Sequence, residues 1–149
     1  MKVRELNWAN FAEPLRRLAT ELGEIDAVLY GKVNPNHFAP AWGRMMQHCG
    51  AVAFSGHDDD GRVCSWLGGL IVPDMFTGEM QALEFLWLAR PGVSGAALSV
   101  LSAFESKAIN AGAKMVIAGS SAFRRPEAMR RLYRRLGYVP HAEAFRKVL

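Results

Sequence analysis

Apolar positions in the first third of the chain follow the period of a strand and then that of two helices. Lys2 to Leu6 alternates as a short strand, and Trp8 to Leu22 has apolar residues at helical spacing. These residues are Phe11, Leu15, Leu18 and Leu22. A second helix is predicted over Phe38 to His48, with Pro40 in its first turn, where proline is tolerated. The pattern therefore predicts one strand and two amphipathic helices, with a polar loop around Asn34 between the helices.

The middle of the chain has the pattern of three consecutive antiparallel strands. Ala51 to Phe54 and Val63 to Val72 are largely apolar runs joined by a turn built on Asp60-Gly61, which indicates a hairpin. A loop containing Pro, Asp and Gly follows the hairpin. Gln81 to Leu88 is then the third strand of the series.

The stretch from Leu83 to Gly112 predicts a strand, a glycine-bearing turn and a helix in immediate succession. The strand ends at Arg90 to Gly95, because Pro91 lacks an N–H group and the two glycines allow unusual backbone angles. Apolar residues at helical spacing follow, namely Ala97, Leu101, Phe104 and Ala108. The free N–H groups and the dipole at such a helix start favour a phosphate, while glycines that only satisfy turn geometry remain an open alternative.

The last third of the chain predicts one more buried strand, a helix and a final pair of strands. Lys114 to Ala118 is expected to lie parallel to the preceding strand through a right-handed crossover. Pro126 begins a helix with one apolar face and one arginine-rich face, and Gly137 ends it. Tyr138-Val139 and Ala144 to Leu149 are interpreted as the last two strands.

Composition narrows the class of protein. A chain of 149 residues, half of them apolar, is expected to fold as one domain over residues 1–149. No apolar run approaches the roughly 20 residues that cross a bilayer, and the start lacks the apolar core of a signal peptide. A soluble, cytoplasmic protein is therefore expected. Cys49 and Cys64 are too few for a disulfide framework and are interpreted as core or strand thiols.

Positive charge is concentrated at the C-terminal end. Eight of the 18 Lys and Arg residues, but only two of the 14 Asp and Glu residues, follow Ala122, so this segment carries +6 and the rest −2. An anionic partner fits this charge, as does plain solvation of an arginine-rich face. Nucleic acid is disfavoured, because the arginines are not interleaved with exposed aromatic residues or with a recognisable reading motif. Asp58 to Asp60 beside His57 are interpreted as a solvated turn, so no metal site is predicted.

The order of the predicted elements is strand, two helices, three antiparallel strands, helix, strand, helix and two strands. In this order the chain resembles the GNAT superfamily of acyl-CoA-dependent N-acyltransferases over nearly its whole length. The resemblance implies an α+β fold, with a mixed, mostly antiparallel sheet of six or seven strands flanked by about four helices. It also implies acetyl-CoA as cosubstrate and an amine acceptor, and a homodimer is left open. From the residues themselves, neither a metal nor a membrane is expected as a partner.

The first motif behind this resemblance lies at the predicted strand-to-helix turn. The family's acyl-CoA signature has Arg or Gln, two residues, Gly, one residue, and Gly or Ala. Arg90, Val93 and Gly95 occupy those positions, so that Val93 replaces the first glycine. The resemblance assigns CoA binding to this junction. The backbone amides of Gly92, Val93, Ser94, Gly95 and Ala96 are expected to face the pyrophosphate and Arg90 the phosphates, while a backbone N–H around Leu88 or Ala89 is expected to polarise the thioester carbonyl.

The second motif is the segment Leu132 to Val139, which is similar to the family's C-terminal run of Leu-Tyr, two polar residues and Leu-Gly-aromatic. The tyrosine of that run often lies near the CoA sulfur, so the resemblance assigns Tyr133 the protonation of the departing thiolate. A core tyrosine with a satisfied hydroxyl is the alternative. Pro126 stands where an asparagine often precedes this helix in the family.

A general base completes the hypothetical active site. The family commonly carries the base on its fourth strand, and Glu84 is the only ionisable residue between Gln81 and Leu88. A positioned carboxylate in a cleft is suited to base catalysis, whereas alternation along the strand can also place Glu84 on the solvated side of the sheet. Glu79 is a less favoured base.

These residues favour direct attack of an amine on the bound thioester. Such a reaction needs no nucleophilic cysteine, in agreement with the lack of a Cys/His constellation in the sequence. The first hypothesis is an N-acetyltransferase that acts on a small molecule or a protein. The alternative is a catalytically silent GNAT-like module that binds CoA or a protein, and a nucleic-acid-associated protein is a third hypothesis.

Overall fold

The fold is described by a computed structural model, which covers residues 1–25, 34–119 and 126–141. In chain order the elements are β1 (Lys2–Leu6), α1 (Ala12–Ile25), α2 (Pro35–His48), β2 (Ala51–His57), β3 (Val63–Pro73), β4 (Met80–Ala89), α3 (Ser94–Asn110), β5 (Met115–Ile117) and α4 (Pro126–Arg135). This is the predicted order as far as α4. None of the helices in these ranges has the length and apolar character needed to cross a membrane.

The chain divides into two compact units. The first unit is Met1–Ala118 and holds the sheet with α1, α2 and α3, and the second is Gly119–Leu149 and holds α4. The functional argument below concerns mainly the first unit. That residues 1–149 form one domain stays a prediction.

The five strands form one mixed sheet in the order β1-β2-β3-β4-β5. The first four strands are antiparallel neighbours, and β5 runs parallel to β4 because α3 carries the chain back along the sheet. The predicted α+β class and the mixed, mostly antiparallel sheet are thereby confirmed.

The described part of the chain contains five strands, whereas the sequence predicted six or seven. Tyr138 and Val139 take no regular structure, because Gly137, with a φ of 88°, ends α4 and the Tyr138 N–H donates to the Tyr133 carbonyl at 2.9 Å. That N–H closes the helix and does not pair with a strand. The other predicted strand, Ala144 to Leu149, lies outside the described residues.

Helices cover both faces of the sheet. Residues of α1 and α2 share one core with one face of the strands, including Leu15, Leu18, Trp42, Ala53, Trp66 and Leu88. The opposite face lies against α3, since a Cβ atom at Gly56 would contact Val100 and one at Gly69 would contact Phe104. With both faces covered, β2 and β3 are buried along most of their lengths.

The first two helices begin at other residues than the apolar pattern predicted. α1 begins at Ala12 instead of Trp8, because the Asn7 carbonyl first accepts the Phe11 N–H at 3.0 Å in a tight turn. α2 begins at Pro35 instead of Phe38, and this earlier start leaves Pro40 inside the helix instead of in its first turn.

A side-chain cap explains the early start of α2. The side-chain oxygen of Asn34 accepts hydrogen bonds from the N–H groups of Asn36 and His37 at 3.0 and 3.3 Å. Pro35 occupies the first helical position, where its missing N–H costs no helical hydrogen bond. The segment predicted as a polar loop is therefore the cap of the helix.

The approach of α3 to the sheet leads to a test with two glycines. A Cβ atom at Gly69 would lie 2.5 Å from the Leu83 carbonyl oxygen and 2.6 Å from the Phe104 ring, whereas one at Gly43 in α2 would lie 3.4 Å from Phe11. We expect Gly69→Ala to lower the free energy of unfolding by about 1–3 kcal/mol. Gly43→Ala should leave it unchanged or raise it by up to about 1 kcal/mol.

Urea denaturation followed by tryptophan fluorescence measures both variants. Equal stability of the two variants would contradict the close packing of α3 on β3.

Candidate functional site

The junction between β4 and α3 is an open turn at the surface of the first unit. The Arg90 N–H still donates to the Cys64 carbonyl of β3 at 2.9 Å, so the turn begins only after this residue. Pro91 and Gly92 are exposed, and Gly92 has a φ of 83° that favours glycine. Apart from its two chain neighbours, no residue that the structure describes has an atom within 4 Å of where a Cβ of Gly92 would stand. The turn therefore leaves free space in front of the helix start.

Within the described ranges, no side chain caps the N-terminus of α3. Its N-cap residue is Val93, which has no polar side-chain atom, and the Val93 carbonyl accepts the N–H groups of Ala96 and Ala97, at 3.0 and 3.3 Å. No hydrogen bond joins the backbone N–H groups of Ser94 and Gly95 to any residue that the structure describes. Two free donors at the positive end of a 17-residue helix form a site suited to an anion.

The predicted cofactor residues contribute to this junction in different ways. Gly92 and Gly95 are exposed, so their backbone is accessible, whereas the side chains of Leu88 and Ala96 are buried in the protein. Val93 and Ala89 are half-buried. The structure brings all eight predicted residues to the end of β4 and the first turn of α3, where mainly backbone groups face outward.

The outer edge of β4 runs beyond β5. Only Gln81 to Leu83 pair with β5, opposite Met115 to Ile117. From Glu84 to Ala89 this edge of β4 pairs with no strand in the described ranges. Its outward N–H and C=O groups lead directly to the open turn, and an extended chemical group can lie along them.

A β-bulge lies within this edge of β4. Gly68 of β3 pairs with Leu86 and Gly69 pairs with Glu84, so Phe85 is the extra residue. Phe85 is exposed, and its ring contacts Trp42 of α2 edge-on, with ring centroids 6.1 Å apart. The bulge therefore presents an aromatic side chain on the face of the sheet that α1 and α2 cover.

The bulge also decides the orientation of Glu84. Residues opposite each other in an antiparallel pair share a face, and the position of Gly69 points to Phe104 of α3. Glu84 is therefore on the α3 face, where it is half-buried, while Leu86 and Leu88 belong to the core of the other face. Strict alternation along β4 would have placed Glu84 with those two leucines.

Arg90 forms an ion pair that the sequence did not predict. Its guanidinium pairs with Glu21 of α1, and 18% of its side chain is exposed. Its Nε is buried and has no hydrogen-bond partner within the described residues. The guanidinium is thus engaged with α1, and the anion-binding capacity of the turn lies mainly in its backbone N–H groups. Nothing in the local sequence around Arg90 indicates Glu21 as its partner.

A buried polar cluster lies beside the same end of the sheet. The ring of His57 donates from Nδ1 to the Gly61 carbonyl at 3.2 Å, and its Nε2 lies 2.9 Å from the Ser55 hydroxyl. Both side chains are buried, and their hydrogen bond to each other pairs two polar groups within the core. In the described ranges no three His, Cys, Asp or Glu side chains come together in a way that could hold a metal ion.

The two cysteines have different environments. Cys64 is buried in β3, and burial together with the nearby Asp58 carboxylate raises the pKa of its thiol, so it is a poor nucleophile. Cys49 was predicted as a core or strand thiol, and this is wrong. It is exposed, because it is the C-cap residue of α2 and follows the last helical residue.

Tyr133 lies at the end of α4, in the second unit. The Tyr133 carbonyl accepts the Tyr138 N–H, and the Arg134 carbonyl accepts the Gly137 N–H at 3.1 Å. The ring centroids of Tyr133 and Tyr138 are 5.1 Å apart. Both hydrogen bonds and the ring contact are those of a Schellman cap. The tyrosine of the Leu-Tyr motif is buried, and the cap fixes its backbone.

Solved acetyltransferases share this fold. An aminoglycoside acetyltransferase from an uncultured soil metagenomic sample aligns with a TM-score of 0.76 at 16% identity, over 99% of this chain and 97% of that one. An acetyltransferase from Trypanosoma brucei aligns with a TM-score of 0.71 at 18% identity, over 99% of each chain. A ribosomal-protein-alanine N-acetyltransferase from Brucella melitensis biovar Abortus 2308 has a TM-score of 0.71 at 15% identity, over 100% of each.

No protein-family model and no curated protein matches the sequence. The agreement with solved structures therefore concerns the fold. The chain has the fold of the GNAT-type acetyltransferases, as the sequence resemblance implied.

The ion pair between Glu21 and Arg90 can be tested against a second pair on the same helix. Glu13 and Arg17 pair with more than half of each side chain exposed, so Glu13→Gln should change the free energy of unfolding by at most about 0.5 kcal/mol. Glu21→Gln leaves the poorly solvated Arg90 without its partner and should cost about 1–2 kcal/mol.

Urea denaturation of the two variants beside the parent protein measures the difference. A loss in Glu21→Gln no larger than that in Glu13→Gln would show that Arg90 does not depend on α1.

Proposed function

We propose that the chain is an N-acetyltransferase that transfers an acetyl group from acetyl-CoA to an amine. The observation that carries this proposal is the uncapped start of α3 directly after β4, in a chain with the fold of GNAT-type acetyltransferases. The backbone N–H groups at a helix start without a side-chain cap can donate hydrogen bonds to a ligand, and the oxygens of a pyrophosphate accept such bonds.

The residues at the turn fit CoA. The N–H groups of Ser94 and Gly95 have no acceptor in the described part of the chain, and the space in front of Gly92 is open. In the proposal these groups hold the pyrophosphate, and Arg90 contributes less because Glu21 engages its guanidinium. Val93 is the N-cap residue. Because its side chain has no oxygen atom, it does not accept hydrogen bonds from the N–H groups that the pyrophosphate would bind.

Acetyl-CoA supplies the acetyl group as a thioester, which an amine can attack directly. The chain's own groups then have three tasks: to hold the carbonyl, to accept a proton from the amine and to return one to the leaving sulfur. In the proposal the outward backbone N–H of Ala89, next to Leu88, polarises the carbonyl. Glu84 accepts the proton of the amine, and Tyr133 is the proton donor.

The acceptor is proposed to be an amine of a small molecule or a protein. Solved neighbours are described as an aminoglycoside acetyltransferase and a ribosomal-protein-alanine N-acetyltransferase, and both kinds of acceptor belong in a test panel. The exposed ring of Phe85, held against Trp42, is available to contact an acceptor on the face that α1 and α2 cover.

A GNAT-like module without catalysis is the second candidate. Two observations favour it: Val93 replaces a glycine of the signature, and Glu21 engages the arginine of that signature. Both candidates bind CoA, and only the first releases CoA thiol in the presence of an amine.

Calorimetry with CoA and turnover assays separate these candidates. We expect saturable binding of one CoA per chain and release of free thiol from acetyl-CoA with at least one amine of a panel that includes an aminoglycoside and an alanine-started peptide. The assay uses Cys49→Ser, because the exposed Cys49 thiol would itself react with the thiol reagent. Absence of CoA binding would contradict both candidates, and binding without turnover on any amine would favour the silent module.

Two substitutions test the proposed catalytic residues. Glu84→Gln and Tyr133→Phe should each lower kcat by about 10²–10⁴ with little change in the Kd for CoA, because each removes a proton transfer and no phosphate contact. Tyr138→Phe is the matched control, since its ring contacts Tyr133 in the same helix cap, and it should keep full turnover.

The same assay on Glu79→Gln tests the less favoured base. Unchanged kcat in both Glu84→Gln and Tyr133→Phe would show that the catalytic residues have been assigned wrongly.

A further inference from the structure

A buried serine on β3 is hydrogen-bonded to the first turn of α3. The hydroxyl of Ser65 donates to the Ala96 carbonyl at 2.9 Å, and neither residue is accessible to solvent to any useful extent, with exposures of 0% and 3%. Ala96 follows Ser94 and Gly95, whose N–H groups form the free donors of the helix start. The bond therefore connects the middle of the sheet to the residue next to those donors.

The sheet has room for this contact because its neighbours are small. In register, Ser65 lies between Gly56 of β2 and Ala89 of β4. A Cβ atom at Gly56 would lie 2.4 Å from the Ser65 Oγ and 3.0 Å from the Ala96 carbonyl oxygen. A side chain there would push the serine hydroxyl and the helix backbone away, so the glycine allows the first turn of α3 to approach the strand.

The helix does not need this bond in order to form. A carbonyl in the first turn of an α-helix already accepts an N–H from the following turn, and its second lone pair is free to accept another donor. The apolar burial that holds α3 on the sheet is not itself directional. A hydrogen bond to one carbonyl is directional and constrains the position of α3 along its own axis.

We propose that Ser65 is a positioning residue for the CoA site, and that Gly56 makes its contact possible. Through the Ala96 carbonyl, Ser65 sets where the N–H groups of Ser94 and Gly95 stand relative to the end of β4. The inference rests on the proposed function, because it gives these N–H groups the pyrophosphate as their ligand.

Ser55 offers a matched control for Ser65. Both serines are fully buried, on adjacent strands, and each hydroxyl has a hydrogen-bond partner at 2.9 Å, which is the His57 ring for Ser55. Ser55 shares the face of the sheet with the core of α1 and α2, because it lies two residues after Ala53 on β2. Ser55→Ala therefore removes a buried bond of similar length and leaves α3 untouched.

The experiment compares Ser65→Ala and Ser55→Ala in the full chain by three measurements. Thermal unfolding should show a loss of stability in both variants, because each substitution removes a buried hydrogen bond. Calorimetry should give a Kd for CoA about tenfold higher in Ser65→Ala and changed by less than about twofold in Ser55→Ala. Amide hydrogen exchange without CoA should be faster at residues 94–100 in Ser65→Ala only.

The outcomes are distinguishable. Equal CoA affinity in the two serine variants, or equal exchange at residues 94–100, would overturn the positioning role of Ser65 while leaving the proposed function intact. If the parent protein binds no CoA, the proposed function fails, and the role of Ser65 toward CoA fails with it, whatever the exchange data show.

Gly56→Ala keeps the inference testable if Ser65→Ala does not fold. The added methyl group would displace the same turn from the β2 side, so it should also raise the Kd for CoA and speed exchange at residues 94–100. Gly43→Ala, in α2, is the control that should change neither. A Gly56→Ala variant that binds CoA like Gly43→Ala would contradict the inference.

Discussion

The close approach of the first turn of α3 to the sheet is the contact on which the candidate site depends. It is possible because Gly56 has no side chain and because Ser65 bonds to the Ala96 carbonyl at 2.9 Å. The first turn of α3 is therefore hydrogen-bonded to the sheet, while the N–H groups of Ser94 and Gly95 bond to no part of the chain that the structure describes. Rigid support and unused donors together are what an anion site requires.

Two irregularities of β4 surround this contact. The strand continues from Glu84 to Ala89 beyond the end of β5, and a bulge at Phe85 divides its side chains between the two faces of the sheet. The open edge leaves backbone groups along which an extended chemical group can lie, and the bulge separates a half-buried carboxylate on the α3 face from an exposed aromatic ring on the other. The strand β4 therefore carries the proposed base, Glu84, on one face of the sheet and the ring of Phe85 on the other.

The order of the elements up to α4 and the strand-turn-helix unit could be predicted from the sequence, because periodicity and the Pro-Gly turn are local signals. The face of Glu84 could not, since a bulge at Phe85 interrupts the alternation and nothing in the run of apolar residues indicates it. The partner of Arg90 is Glu21, in a distant element, and only the packing of α1 brings the two together. The cap at Asn34, followed by Pro35 at the first helical position, is a signal that the local sequence does contain.

The central claim is that the first turn of α3 binds the pyrophosphate of CoA through its backbone. It is tested most directly by the amide NMR signals of ¹⁵N-labelled protein titrated with CoA. ADP is the probe that carries the pyrophosphate on adenosine without the pantetheine arm, and adenosine is the control that lacks the pyrophosphate. The account predicts that the amide signals between Gly92 and Ala96 shift with CoA and with ADP and stay in place with adenosine. CoA binding that shifts other signals and leaves these amides unchanged would contradict it.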